Sequence, residues 1–231
     1  MITVHGRLIY ETVEEVLNPR HTAILVVDMQ NDLVSPDGWA GAKGDLSPKL
    51  TILDPLRRTI DAGREAGAKI VYILYTQDIL RSAMAPAWIQ SCYAFTPSGK
   101  IDPTVETVAL DALFAGTWGW QVVPELEPQP EDFIVEKTRR GAFWATNLDK
   151  VLRAHRIESV LVTGTATAGC VLDTAVGAHA YDYYTAVLTD GVAETNQERH
   201  RKGMAVLEDR YLSVTSGQLV DLWAKTSKSA A

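Results

Sequence analysis

A chain of 231 residues with 46% hydrophobic and 22% charged side chains holds enough apolar material for one sizeable core. A net charge of −7 with no opposing Lys/Arg cluster excludes the electrostatic footprint of a nucleic-acid or anionic-membrane binder and leaves a small molecule as the expected partner. No stretch reaches the ~20 apolar residues that span a bilayer, no signal-peptide layout opens the chain, and Cys92 and Cys170 make neither a disulfide framework nor a zinc site, so a cytoplasmic protein is expected.

Residues 1–20 read as an N-terminal arm, 21–225 as one domain, and "TSKSAA" (226–231) as a disordered tail. Apolar runs follow one another along the domain: "TAILVVD" (22–28), "KIVYILYT" (69–76), "DFIVEK" (132–137), "SVLVTGT" (159–165), "TAVLTD" (185–190) and "YLSVTS" (211–216). They are continuous rather than alternating, which predicts strands buried on both faces. Helical periods separate them at 53–68, 146–157, after Cys170, and at 196–210. Strand and helix therefore alternate, and the expected architecture is α/β, a parallel sheet covered by helices on both faces. Residues 79–131 break the alternation. They place Trp88, Tyr93, Phe95, Phe114, Trp118 and Trp120 among Pro and Gly, the pattern of an excursion that walls a pocket, meets another subunit, or packs as a long connection.

In an open parallel sheet, ligands bind beyond the carboxyl ends of the strands. Three chemically capable residues fall there: Asp28 ends "ILVVD", Lys137 ends "DFIVEK", and Cys170 opens a helix after "SVLVTG". Each has an ordinary alternative, as a cap, a snorkelling surface cation or a small core residue. Their coincidence on one edge gives an acid, a cation and a nucleophile. A helix start and a nearby Lys137 are expected to lower the thiol's pKa, and the small residues of "TGTATAGC" would let backbone N–H groups reach an oxyanion. A Cys/His pair is excluded for His179, nine residues past Cys170 and on the far face of the helix. His5, His21, His155 and His200 read as solvated. Asn31, Arg139, Phe143 and Gln197, with Gln30 and Trp144, are candidates for substrate contacts near the same edge, Arg139 as a bidentate partner for a carboxylate. Asp78 and Asp190 read as structural or capping residues.

The segments "AILVVDMQNDL" and "VEKTRRGAFWATNLDKVLRAHRIESVLVTGTATAGCV" resemble the isochorismatase-like cysteine hydrolases, a family containing nicotinamidases, N-carbamoylsarcosine amidase, ureidoacrylate and biuret hydrolases and maleamate amidase. The resemblance covers roughly residues 20–215, with three separated motifs in the family's order. It implies a three-layer α/β/α sandwich with a mostly parallel, Rossmann-like sheet, and a catalytic triad at Asp28, Lys137 and Cys170. It also implies a non-proline cis peptide between Thr165 and Ala166, an oxyanion hole from the N–H groups of Ala166 and Cys170, and a homodimer or homotetramer. Metal-holding nicotinamidases carry Asp-x-His after the second strand, where this chain has Leu80, so no metal and no organic cofactor is expected. Leu172 stands where carbamoylsarcosine-type members often have arginine, so their substrate does not transfer. The expected activity is cysteine-dependent hydrolysis of a C–N bond in a small amide, carbamoyl or ureido compound. The competing readings are a vinyl-ether hydrolase of the isochorismatase type and a non-catalytic redox-sensing scaffold. A nucleotide-binding module is a further reading that the doubly wound pattern suggests, but the first strand runs into "VVDMQNDLV", which has no dinucleotide glycine fingerprint.

Overall fold

The computed structural model describes residues 1–80 and 84–229, excepting the side chains of 226–229. The chain opens with a hairpin, β1 (Ile2–Val4) and β2 (Arg7–Ile9), followed by a single helical turn, α1 (Val13–Val16). Thr12 and Glu15 close that turn with a reciprocal capping box. The arm is anchored behind it: Leu17 is fully buried, and its carbonyl accepts the Trp223 indole N–H at 2.8 Å.

Next come β3 (Thr22–Val27), α2 (Asn31–Val34), α3 (Ser47–Leu50), α4 (Leu53–Ala66) and β4 (Lys69–Tyr75). The excursion adds α5 (Pro86–Ser91) and an antiparallel hairpin of β5 (Tyr93–Phe95) and β6 (Ile101–Glu106). Residues 81–83 of the excursion lie outside the described residues. The remainder is β7 (Phe133–Lys137), α6 (Leu148–Ala154), β8 (Ser159–Thr165), α7 (Leu172–Ala180), β9 (Tyr184–Ala193), α8 (Gln197–Arg210), β10 (Leu212–Val214) and α9 (Ser216–Ser229).

Six of these strands form one all-parallel sheet in the order β10-β9-β8-β3-β4-β7. Every residue of β3 and β8 is buried, as continuous apolar runs with helices on both sides require. Leu56 and Ile60 of α4 and Leu219 and Trp223 of α9 pack on one face; Leu148 and Leu152 of α6, Ala175 and Ala178 of α7, and Leu207 of α8 pack on the other. The fold is thus the expected α/β sandwich.

The chain builds outward from β3 through β4 to β7, then returns to β8 on the other side of β3. This places the switch in strand order between β3 and β8, where a crevice opens at the carboxyl ends. Gly164 makes the junction possible: at φ 99° it lies so close to β3 that a Cβ would sit 2.1 Å from the Val27 carbonyl oxygen.

The predicted element set lacks α9 and shortens β9. Strand β9 runs to Ala193 because a register slip opposite Val162 and Gly164 carries it past the expected end. Helix α9 starts where Ser216 donates its N–H and hydroxyl to Asp190 at 2.8 and 2.6 Å, a cap supplied from a different strand. The backbone of α9 continues to Ser229, and the rest of the expected tail, 230–231, lies outside the described residues.

Candidate active site

Asp28 is the first residue beyond β3. Its backbone turns into the left-handed region at φ 54°, and its N–H donates to the Ile73 carbonyl at 2.9 Å, which fixes the carboxylate at the sheet edge. Lys137 is the last residue of β7, in register with Tyr75 of β4. It is fully buried rather than snorkelling, with its ammonium 4.7 Å from the centre of the Tyr75 ring. That ammonium donates to Asp28 Oδ2 at 2.9 Å, to Cys170 Sγ at 3.3 Å and to the Arg139 carbonyl at 3.2 Å. An ammonium has three hydrogens, so these three acceptors fix its orientation. The other Asp28 oxygen, Oδ1, is buried without a hydrogen-bond partner.

Cys170 lies in the turn Thr167–Val171 between β8 and α7, half-buried at the bottom of the crevice. The peptide bond joining Thr165 to Ala166 is cis, and Gly169 departs from helical geometry at φ −126° and ψ −109°. Two outside groups hold this turn. Glu194 Oε2 accepts the Ala168 N–H at 3.0 Å, and Thr167 Oγ1 lies 2.8 Å from His200 Nδ1 on α8. His200 therefore braces the turn, in contrast to the solvated role its polar helix suggested.

The electrostatics run against one expectation. Burial, then the Asp28 carboxylate, push the Cys170 thiol up to about 12, and the Lys137 ammonium pulls it down only in part. The resting group is a thiol, not a thiolate. Burial works to lower the Lys137 pKa, but Asp28 and Cys170 outweigh it and hold the ammonium above its ordinary value. The site thus holds an ion pair beside a neutral thiol.

A cavity of about 350 Å³ opens over these groups, lined on its floor by Asp28, Tyr75, Thr165, Ala166 and Cys170. Its wall comes from Trp39, Lys43 and Lys49, from Val105–Ala109 of the excursion, and from Glu194 and Arg199. Asn31, Arg139, Phe143 and Gln197 are not among its lining residues. Asn31 donates to the Trp118 carbonyl at 2.9 Å beneath a different hollow, and the Arg139 guanidinium lies over the Trp88 ring, 4.7 Å from its centre. Phe143 is core, packed on Gly177 and between Tyr181 and Tyr183. The Gln197 amide donates to the Glu194 carbonyl at 3.1 Å. Gln30 uses its amide on the backbone of Tyr75 and Trp120, tying the end of β3 to β4 and the excursion. Glu194 and Lys49 are cavity residues that the sequence reading passed over. Glu194 directly follows β9 at the same edge as the other three groups, so the strand-end rule reaches it once β9's true length is known; Lys49 sits on a four-residue helix with no pattern to mark it. Among the described residues no group of three or more His, Cys, Asp or Glu side chains is placed to hold a metal ion.

A model of the isochorismatase domain matches residues 22–218. The chain is 33% identical over 179 residues to the ureidoacrylate amidohydrolase RutB of Agrobacterium fabrum, covering 75% of this chain and 76% of that one. It is 30% identical over 181 residues to RutB of Rhizobium rhizogenes, covering 75% and 71%. Among solved structures, an isochorismatase-like hydrolase from Alkaliphilus metalliredigens superposes with a TM-score of 0.67 at 28% identity, over 87% of this chain and 98% of that one. The N-carbamoylsarcosine amidase of Thermoplasma acidophilum shares the fold at a TM-score of 0.63 and 23% identity, over 84% and 96%. With the whole parallel sheet inside the matched span, the chain belongs to the isochorismatase family.

Proposed function

We propose that the protein is a cysteine-dependent amidohydrolase, with Cys170 as nucleophile, Asp28 as the group that moves the proton and Lys137 as the cation that holds both. One observation carries this reading. The Lys137 ammonium binds Asp28 Oδ2 and Cys170 Sγ together while Asp28 Oδ1 has no partner. A carboxylate with a free lone pair beside a protonated thiol is arranged to accept its proton.

When a small amide or ureido carbonyl enters, the thiol proton passes to Asp28 and the sulfur forms a bond to the carbonyl carbon. The carbonyl π electrons move onto oxygen, and the N–H groups of Ala166 and Cys170, at the cavity floor, receive the oxyanion. One such donor is worth about 3 kcal/mol of barrier. Collapse breaks the C–N bond, and the leaving nitrogen takes the proton from Asp28 and departs as ammonia or an amine. Water then gives a proton to Asp28 and attacks the thioester carbon, and the expelled sulfur recovers that proton. The high thiol pKa suits this order, because the thiolate forms only when an electrophile is present to consume it. The RutB relatives are named for ureidoacrylate, which makes ureido compounds the first substrates to try. A homo-oligomer belongs to the same proposal, supported by exposed Phe95 and Trp118 of the excursion, and so does the reducing cytoplasm, where a nucleophilic thiol survives.

Intact-mass analysis during hydrolysis of ureidoacrylate and simple amides tests the scheme. Ammonia release with an acyl or carbamoyl adduct on Cys170, both absent in Cys170→Ala, is the expected result. Native-rate turnover by Cys170→Ala would refute the covalent route, cleavage of a vinyl ether instead of amides would favour the isochorismatase chemistry, and oxidation of Cys170 alone would favour a sensor.

A further inference from the structure

Among the described residues, the charges around the cavity pair off, with one exception. Lys43 pairs with Glu106 at 2.6 Å, Arg199 with Glu194 at 2.8 Å, and Lys137 with Asp28 at 2.9 Å. Lys49 also lines the cavity, is only 7% exposed, and makes no ion pair among the described residues. Its ammonium donates to the Leu33 carbonyl at 2.8 Å, and no other described acceptor takes its remaining hydrogens. Buried lysines are ordinarily matched by a carboxylate, because an enclosed ammonium without a counter-ion is unfavourable.

The catalytic groups are near enough to act on it. Burial lowers the Lys49 pKa to about 8, while Glu194, Asp28 and Cys170 each raise it, so Lys49 shares the electrostatic surroundings of the nucleophile. It remains mostly charged at neutral pH. The surplus positive charge in the wall therefore faces the same space as the sulfur.

Resting on the amidohydrolase reading, we propose that Lys49 selects the substrate by binding a carboxylate at the end remote from the scissile bond, so that the enzyme acts on amides or ureido derivatives of small carboxylic acids. A carboxylate offers the two oxygens that the remaining hydrogens of Lys49 lack, and it neutralises the one unmatched charge of the wall. Arg139, the sequence candidate for this role, lies over Trp88 and outside the lining.

Binding to the Cys170→Ala protein tests this without turnover, using 3-ureidopropionate and its neutral primary amide as calorimetric probes. The acid is expected to bind more tightly than the amide, and adding Lys49→Met should weaken the acid about 100-fold while changing the amide less than about threefold. The amide serves as the check that the variant is folded. Lys49→Gln keeps a donor for the Leu33 carbonyl but no charge, so it should lose the acid as Lys49→Met does; recovery of acid binding by Gln would make Lys49 a structural residue and overturn the proposal. Equal binding of acid and amide, equal weakening of both, or no acid binding at about 10 mM overturns it too. Since the readout is affinity, a protein that releases no ammonia from any amide but shows this pattern sinks the amidohydrolase reading alone. Ammonia release without the pattern sinks the Lys49 assignment alone.

Discussion

At the bottom of the cavity, Asp28 and Lys137 cap the ends of β3 and β7, and Cys170 follows β8 by a few residues; the wall facing them comes mostly from short helices, a hairpin and irregular chain between residues 39 and 109, with Glu194 and Arg199 from the start of α8 and the chain before it. Asp28 and Lys137 there are deeply buried, and the three donor bonds leave the ammonium a single geometry. The wall mixes buried Lys49 with Lys43 and Arg199, whose side chains keep about half their surface, at 46% and 45% exposure. In the proposed reading, chemistry that depends on tenths of an ångström falls to the sheet edge, and selection of the ligand to the segments around it. Variants at the bottom should then damage stability and turnover together, and variants in the wall should separate them.

The largest effect is expected for Lys137→Met. It leaves the Asp28 carboxylate buried without a cation, a change that costs about 3–5 kcal/mol, and it releases the sulfur from its donor. Urea denaturation should show that loss, and ammonia release should fall about 1,000-fold or more in protein that remains folded. Turnover within tenfold of native would break the division between bottom and wall. Gly164→Ala should come next. A methyl group at that position meets the Val27 carbonyl at 2.1 Å and holds φ at an unfavourable 99°, so β8 must move away from β3, at a cost of about 2–4 kcal/mol read as a lower melting temperature.

The same division separates what the sequence marks from what only the fold brings together. That Asp28, Lys137 and Cys170 meet at one edge was legible because strand ends are marked by the sequence: an apolar run stops, a charged or small residue follows, and parallel topology puts all such ends on one edge. The sandwich was legible for the same reason. Lys49 was not, since a lysine in "LSPKL" carries no sign that its segment folds over the sheet edge. Asn31 and Gln197 are candidates by nearness in sequence to the strand-end edge, yet the Asn31 amide meets the Trp118 carbonyl, a partner 87 residues away that only the fold supplies, and the Gln197 amide meets the Glu194 carbonyl three residues before it. Nor could the thiol's pKa be inferred from a neighbouring cation alone: the depth of burial and the Asp28 charge reverse the sign.

A smaller effect sharpens the wall. Lys49, lowered to about 8 by burial against the opposing pull of Glu194, Asp28 and Cys170, is a cation below that pH and neutral above it. The charged groups sharing the wall, Lys43, Glu106 and Arg199, are mutually paired or held by Glu194, and Lys49 is the described cation there without a carboxylate partner. Affinity for 3-ureidopropionate should be flat up to about pH 7.5 and then fall by up to about tenfold per pH unit, while its neutral amide shows no break. Because the folded pKa lies below the unfolded one, the same titration makes Lys49 unfavourable to folding at neutral pH and progressively less so as pH rises from about 8 towards the ordinary lysine value. An acid affinity unchanged between pH 7 and 9 would remove Lys49 from recognition.

The smallest effect separates two cations of the same wall. Lys43 lies 4.0 Å from the centre of the Trp39 ring and pairs with Glu106, and its position looks as suited to a ligand as that of Lys49. Its side chain is 46% exposed, however, so water screens the pair, and such pairs contribute about 0–1 kcal/mol. Its charge is also already answered by Glu106, whose other oxygen accepts the Leu110 N–H at 2.8 Å. Lys43→Ala should therefore leave the melting temperature nearly unchanged and shift KM for a ureido acid by less than about threefold. A shift as large as that of Lys49→Met would mean that exposed and buried cations recognise the ligand equally, and that burial without a counter-ion is not what marks the binding residue.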